Sequence, residues 1–292
     1  MSSSPLRLLS ALALGSLALS VSLPAQGTAQ KIDFPAPSPA ATLKQRVGLT
    51  DIEVNYSRPS MRGRKIFGGL EPYGKVWRTG ANAATKISFS TPVRLNGTEI
   101  PAGTYELFTI PGENEWTVII HKNMSEWGAY TYDAKNDIAR LTAKPLTLPN
   151  PVETFAIGFA DLRDESATLY LTWEKTRVPV KLEVDVAKTL VPQIETVMAS
   201  DAEKKPYFQA AIFYLEHDLD LKKALTWMEA ATAAQPDAFY MFYHKARLLA
   251  KMGDKPAAIA AANHSIEIAN KLGGPIKDEY VRLNQALLDR LQ

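Results

Sequence analysis

Cysteine is absent from all 292 residues. That excludes disulfides, thiolate nucleophiles, cysteine-ligated zinc and iron–sulfur clusters, and leaves stability to packing. Histidine is scarce, at four. An excess of one charge is also missing: 33 Lys and Arg against 31 Asp and Glu give a formal +2. Nothing in the bulk charge therefore asks for nucleic acid, whose footprint would have to be local. No stretch after the first thirty residues is apolar enough to span a bilayer. Neither G-x-S-x-G, H-E-x-x-H, a P-loop nor a dinucleotide fingerprint occurs, so no cofactor and no metal is expected. What is present, 46% apolar residues over this length, suffices for one large or two ordinary domains.

The first 29 residues read as an export signal. Arg7 supplies the positive start, and Leu8 to Val21 form an apolar run shorter than the ~20 residues a membrane span needs. Small residues at signal-peptidase spacing follow, Gly27-Thr28-Ala29 before Gln30 or Leu23-Pro24-Ala25 before Gln26. A membrane anchor is the competing reading, but the run is short, and the mature chain is expected to be periplasmic or secreted. Residues 30–41, with Pro35, Pro37 and Pro39, form a proline-rich leader.

From Thr42 the apolar residues alternate. Leu43, Gln45 and Val47 do so before Gly48, and Ile52, Val54 and Tyr56 after it. Val93-Arg94-Leu95 faces Thr98-Glu99-Ile100 across Asn96-Gly97, a strong hairpin signal. Further strands are expected at Thr104–Ile110, Trp116–His121, Glu153–Phe159, Ala167–Glu174 and Val178–Val186, with a long loop and one strand at most between Asn123 and Pro149. Short strands and frequent turns predict an antiparallel all-β sandwich or barrel over residues 42–186.

After Ala187 the period becomes 3.6. Leu190, Ile194 and Val197 are expected to line a connecting helix, with Pro192 tolerable only near its start. Leu219-Asp220 precedes Ala224 at the spacing by which Gly253-Asp254 precedes Ala258, 34 residues on, and that is the tetratricopeptide period. The resemblance extends to Phe208 and Phe242 at the first aromatic position, Ala231 and Ser265 at a later small one, and Pro236 at the end of the first copy. Ile212, opposite Ala246, departs from it. Two repeats and a capping helix bearing Ile276, Tyr280, Leu283, Leu287 and Leu291 would make a minimal solenoid of residues 187–292; an unrelated helical bundle is the alternative. The fold class expected is thus α+β, in two domains.

Residues from Tyr56-Ser57-Arg58-Pro59 through Arg64-Lys65-Ile66-Phe67-Gly68-Gly69-Leu70 to Trp77-Arg78-Thr79-Gly80-Ala81-Asn82 read as neither helix nor strand. With Pro101-Ala102-Gly103-Thr104-Tyr105 and Glu115-Trp116-Thr117-Val118-Ile119, they resemble the bacterial family called domain of unknown function 2911, over about residues 38–185. The resemblance implies export and a β fold, often with helical repeats, and implies no activity.

Six cations lie between Arg58 and Arg78 against one acid, Glu71. Guanidinium forks suit carboxylates and phosphates, and aromatic faces suit sugars. Arg58, Arg62, Arg64, Trp77, Arg78 and Asn82 are therefore candidates for an anion- or glycan-binding pocket, with Trp77 as a wall. The competing reading has the arginines bonding loop carbonyls and the aromatics stapling the loop to the sandwich. His121 is a candidate general base, with Asp133 and Asp137 as companions that lack a diagnostic metal spacing. In the repeats, Gln209, Phe213 and Glu216, then Tyr240, Tyr243, Arg247 and Lys251, are expected on the inner, partner-facing surface. The asparagines of a peptide-carboxylate clamp are missing there. Three functions follow: a non-enzymatic ligand-binding protein with a protein-docking module, an envelope hydrolase using His121 and the Arg58–Asn82 loop, or a structural assembly module.

Overall fold

The computed structural model describes residues 34–122, 125, 127–272 and 274–291, so the expected signal at 1–29 lies outside the described residues. Among the described residues, ten strands come first. β1 (Ala40–Val47), β2 (Thr50–Ser57), β3 (Thr85–Phe89), β6 (Gly103–Ile110), β7 (Trp116–Lys122) and β8 (Asp137–Ala143) form one antiparallel sheet in the order β1-β2-β3-β6-β7-β8. β4 (Val93–Leu95), β5 (Thr98–Ile100), β9 (Leu146–Ala160) and β10 (Ser166–Glu183) form a second, ordered β5-β4-β10-β9. The alternation read from the sequence is what packs them: Ile52, Val54 and Tyr56 of β2 meet Leu169, Leu171 and Trp173 of β10 in one buried core. Asn96 and Gly97 both take positive φ, 45° and 82°, as the right-handed twist of a two-residue hairpin requires.

β10 carries a finding hidden in its length. Eighteen extended residues would reach about 60 Å at ~3.3 Å each, yet Val184 N donates to Glu165 O at 2.9 Å. The strand therefore doubles back on itself. The reversal falls at Glu174, where φ is +53° and the register to β9 shifts. Its two legs are the two strands expected around residues 167–174 and 178–186, the second ending early, at Glu183. It ends there because Asp185 accepts Lys188 N and so caps the helix that follows.

Six α-helices follow among the described residues: α1 (Val186–Ala199), α2 (Tyr207–Glu216), α3 (Leu221–Ala234), α4 (Phe239–Lys251), α5 (Lys255–Leu272) and α6 (Pro275–Leu291). Pro192 sits inside α1 rather than near its start, and Val197 is exposed rather than packed. The 34-residue register holds in the packing. Tyr214 and Leu215 of α2 recur as Leu248 and Leu249 of α4, and Ala224, Met228 and Ala231 of α3 recur as Ala258, Ala262 and Ser265 of α5, all buried. Asp220 and Asp254 each accept a main-chain N–H at the start of α3 and α5. α6 packs on the expected face, with Tyr280 against Phe239 and Tyr243 and Leu291 against the buried cluster of Leu287, but its first turn departs. Ile276 is exposed, and the buried positions are Leu287 and Asn284, whose amide donates to Ser265 Oγ and to Tyr280 O, both at 2.8 Å.

Sandwich and helices meet where the β1–β2 turn touches the start of α1. Gly48 there has φ +54°, and a Cβ on it would fall 2.5 Å from Val186 Cγ2 and 2.9 Å from Asp164 O. No helix among the described residues is long and apolar enough to cross a membrane.

Candidate functional site

The long loop between β2 and β3 closes the sandwich by bonding to both sheets. Met61 N donates to Glu153 O and Phe155 N to Pro59 O, which joins the loop to β9. Trp77 and Thr109 exchange two main-chain bonds of 2.7 and 2.9 Å, which joins it to β6. The arginines follow the same logic. Arg58 Nε donates to Phe155 O at 2.9 Å, and Arg64 donates to Met61 O and Ser60 O at 2.9 and 2.7 Å. Arg62 is exposed, its φ is +50°, and its main-chain N–H binds Glu153 Oε1. Asn82 is held in the left-handed region at φ 60° and donates to Ser57 Oγ at 3.2 Å, while its own carbonyl accepts from Arg78 at 2.7 Å.

Trp77 cannot be the wall of a pocket. It is 3% exposed, stacks on Trp173 with ring centroids 5.8 Å apart, and meets Phe67, Trp116 and Phe155 edge-on. Its indole N–H is satisfied by Gly80 O at 3.1 Å. A large apolar ring gains most where all of it leaves water, and the loop's hydrophobic residues Ile66 and Phe67 are buried alongside. The expected wall of the pocket thus lies in the core, and Arg58, Arg64 and Arg78 each donate to a main-chain carbonyl. Glu71 sits beside them, and burial pushes its carboxyl up to about 7 against the opposing pull of Arg78 and Arg64.

His121 lies on the outer face of the six-stranded sheet, 1% exposed, with its Nδ1 3.7 Å from Oε2 of the equally buried Glu106. Nδ1 also faces Lys122 O at 2.8 Å and Nε2 faces Asp133 O at 3.2 Å. Both ring nitrogens thus face main-chain carbonyls inside the fold rather than an open cleft. Asp133 and Asp137 are likewise committed: Asp133 caps the short 3-10 turn Ala134–Asn136, and Asp137 accepts from Tyr132 and Arg140. No group of acids and histidines among the described residues could hold a metal ion.

Residues 127–136, between β7 and β8, cover this face. Tyr132 packs over Phe108 and His121, while Trp127 and Tyr130, at the two ends of a turn over Gly128 and Ala129, stay in water. These two rings escaped the sequence reading; the run Trp127-Gly128-Ala129-Tyr130-Thr131-Tyr132, dense in aromatics within an irregular stretch, was the available signal.

Among the helices, the expected partner surface divides. In the second copy, Arg247 is bonded to Glu216 at 2.8 Å and to His244 Nδ1 at 3.1 Å, and Lys251 binds Leu215 O and Asp218. Burial, with Arg247 beside it, pushes His244 down to about 4, which suits its role as acceptor. Tyr240 packs on Phe208 and Tyr243 on Tyr280. These four therefore fasten α4 to its neighbours. The first copy remains open: Phe208, Ile212 and Phe213 of α2, with Leu49, Val186 and Leu190, line a groove of about 600 Å³ between α2 and the turns of the sandwich. Arg163, Asp164, Gln209, Glu216 and His217 form its polar rim.

Residues 38–182 match the family described as Protein of unknown function (DUF2911). No curated protein and no solved structure matches the chain.

Proposed function

We propose that this chain is an exported, non-enzymatic binding protein whose tetratricopeptide-like hairpins hold an extended segment of a partner protein in the groove between α2 and the sandwich turns. One observation carries the reading: Arg58 and Arg64 of the β2–β3 loop bond main-chain carbonyls and its Ile66, Phe67 and Trp77 are buried in the sandwich core, whereas the α2 face stays open over an apolar floor. Apolar pockets rimmed by a few polar groups are where ligands gain most from leaving water. Arg163 and Asp164 on one wall and Glu216 and His217 on the other would orient a main chain without fixing a large net charge. A hydrolase working through His121 has less support, since both its ring nitrogens face carbonyls under a covering segment.

The test is a thermal-shift screen of short peptides, each with one bulky apolar residue in a polar context, against the mature chain and the variants Leu49→Arg and Ile212→Arg. A peptide at a hundred times its Kd should stabilise the native chain by about 2.7 kcal/mol and leave folded variants unmoved. Equal shifts in all three proteins would reject the groove.

A further inference from the structure

A second surface, apart from that groove, presents the rings that the core does not use. Trp127 is 66% and Tyr130 80% exposed. Single exposed apolar residues need no explanation, but here two rings with polar tips stand at the ends of one turn, and a guanidinium stands beside them. Arg78 lies with Cζ 5.4 Å from the Tyr130 ring centroid and with Nη2 3.4 Å from its hydroxyl.

The arrangement is held from below. Trp127 is bridged to Ala83, and Tyr132 and His121 pin the covering segment to the sheet. Gly128 has φ +85°, and a Cβ on it would lie 2.7 Å from Tyr130 Cε2 and 3.2 Å from Arg78 Cζ, so the close seating of ring on guanidinium depends on a glycine there. Arg78 has five N–H donors. One is taken by Asn82 O at 2.7 Å and a second points weakly at Tyr130, which leaves donors for a ligand. Lys86, bonded to Ser125 Oγ at 3.4 Å, adds a second cation. The opposing acid, Glu71, is half-buried with its carboxyl near neutrality, so it offsets only part of the Arg78 charge.

We infer that Trp127, Tyr130 and Arg78 form a binding site for carboxylate-bearing carbohydrate. The ring faces stack on the C–H faces of sugar units, and the guanidinium takes the carboxylate through charge-assisted bonds. The ligand is an acidic sugar rather than a bare anion because exposed ring faces contribute nothing to a small ion. It is acidic rather than neutral because both flanking side chains are cationic.

The experiment is fluorescence titration of the mature chain with an oligogalacturonate trimer, and with a neutral trisaccharide as the contrast. Of the five tryptophans, Trp77, Trp116 and Trp173 are buried and Trp227 is partly buried, so Trp127 is the indole most open to a ligand. The acidic trimer should change the emission saturably and the neutral one should not. Trp127→Ala and Tyr130→Ala should each weaken binding about tenfold, and Arg78→Lys should weaken it by a similar factor with charge retained. Circular dichroism confirms the fold of each variant, and Gly128→Ala offers a change that displaces Tyr130 without removing any contact group. Failure of carboxylate-bearing oligosaccharides to bind at millimolar concentration overturns the site. So does equal binding of the neutral trimer, or binding that persists in the Trp127→Ala, Tyr130→Ala double variant. None of these outcomes bears on the α2 groove, and a failed peptide screen leaves this site standing.

Discussion

The indole of Trp77 lies on that of Trp173, planes inclined by 20° and centroids 5.8 Å apart, so a residue of the irregular β2–β3 loop is seated on the bent strand β10. The stack unites the two sheets at the end where the loop closes the sandwich. Truncating such a ring in a packed core leaves a cavity as well as lost burial. Trp77→Ala should therefore cost about 3–5 kcal/mol in urea unfolding, and Trp77→Phe distinctly less. A loss below 1 kcal/mol would mean that the ring is not in the core.

His121 and Glu106 should behave as a unit. Removing one member of a buried charged or hydrogen-bonded pair strands the other, at about 3–5 kcal/mol, whereas replacing both by apolar residues is often near neutral. His121→Phe and Glu106→Leu should each destabilise the chain, and the double variant should lose clearly less than the sum of the two. Additive losses would show that the 3.7 Å approach carries no coupling.

How much of this was legible in the sequence depended on whether periodicity or contact decided the outcome. Alternation in β2 and β10, the Asn96-Gly97 hairpin and the 34-residue spacing of Ala224 and Ala258 are local signals, and the structure follows them. The fate of the loop was not local. Six cations in one stretch look like a binding site until Phe155 O, Met61 O and Ser60 O are seen to accept from two of them, Arg58 and Arg64, and those partners include a strand almost a hundred residues away. Trp77 was misplaced for the same reason, since only the tertiary fold supplies Trp173. Arg247 and Lys251 were placed on the correct helix, but their bonds to α2 are contacts that no helical periodicity reveals.

The repeat register makes its own prediction. Ala224 and Ala258 are fully buried where paired helices approach, so Ala224→Leu and Ala258→Leu should each cost about 1–3 kcal/mol by overpacking. The matched control is Val197→Leu, at an exposed position of α1, which should leave the melting temperature within error. If the two alanine variants also melt unchanged, α2–α3 and α4–α5 do not pack as the register requires.

Glu71 sets a pH dependence whose sign can be worked out. Its carboxyl is pushed from 4.5 up to about 7, chiefly because burial penalises the charged form; Arg78 and then Arg64 oppose the rise. In the unfolded chain the same carboxyl ionises near its ordinary value. Between about pH 4.5 and 7 the native state therefore holds a proton that the unfolded state has released, and stability falls as pH rises through that window. The contribution is fully present below 4.5 and gone above 7. Glu71→Gln keeps the shape and cannot ionise, so its urea midpoint should change less between pH 5 and pH 8 than that of the native chain. The two proteins should differ least at the acid end, where both side chains are neutral, and the variant should be the more stable of the two at pH 8. Parallel curves would show that the carboxyl is better solvated, or more closely paired with Arg78, than its half-buried position within the loop implies.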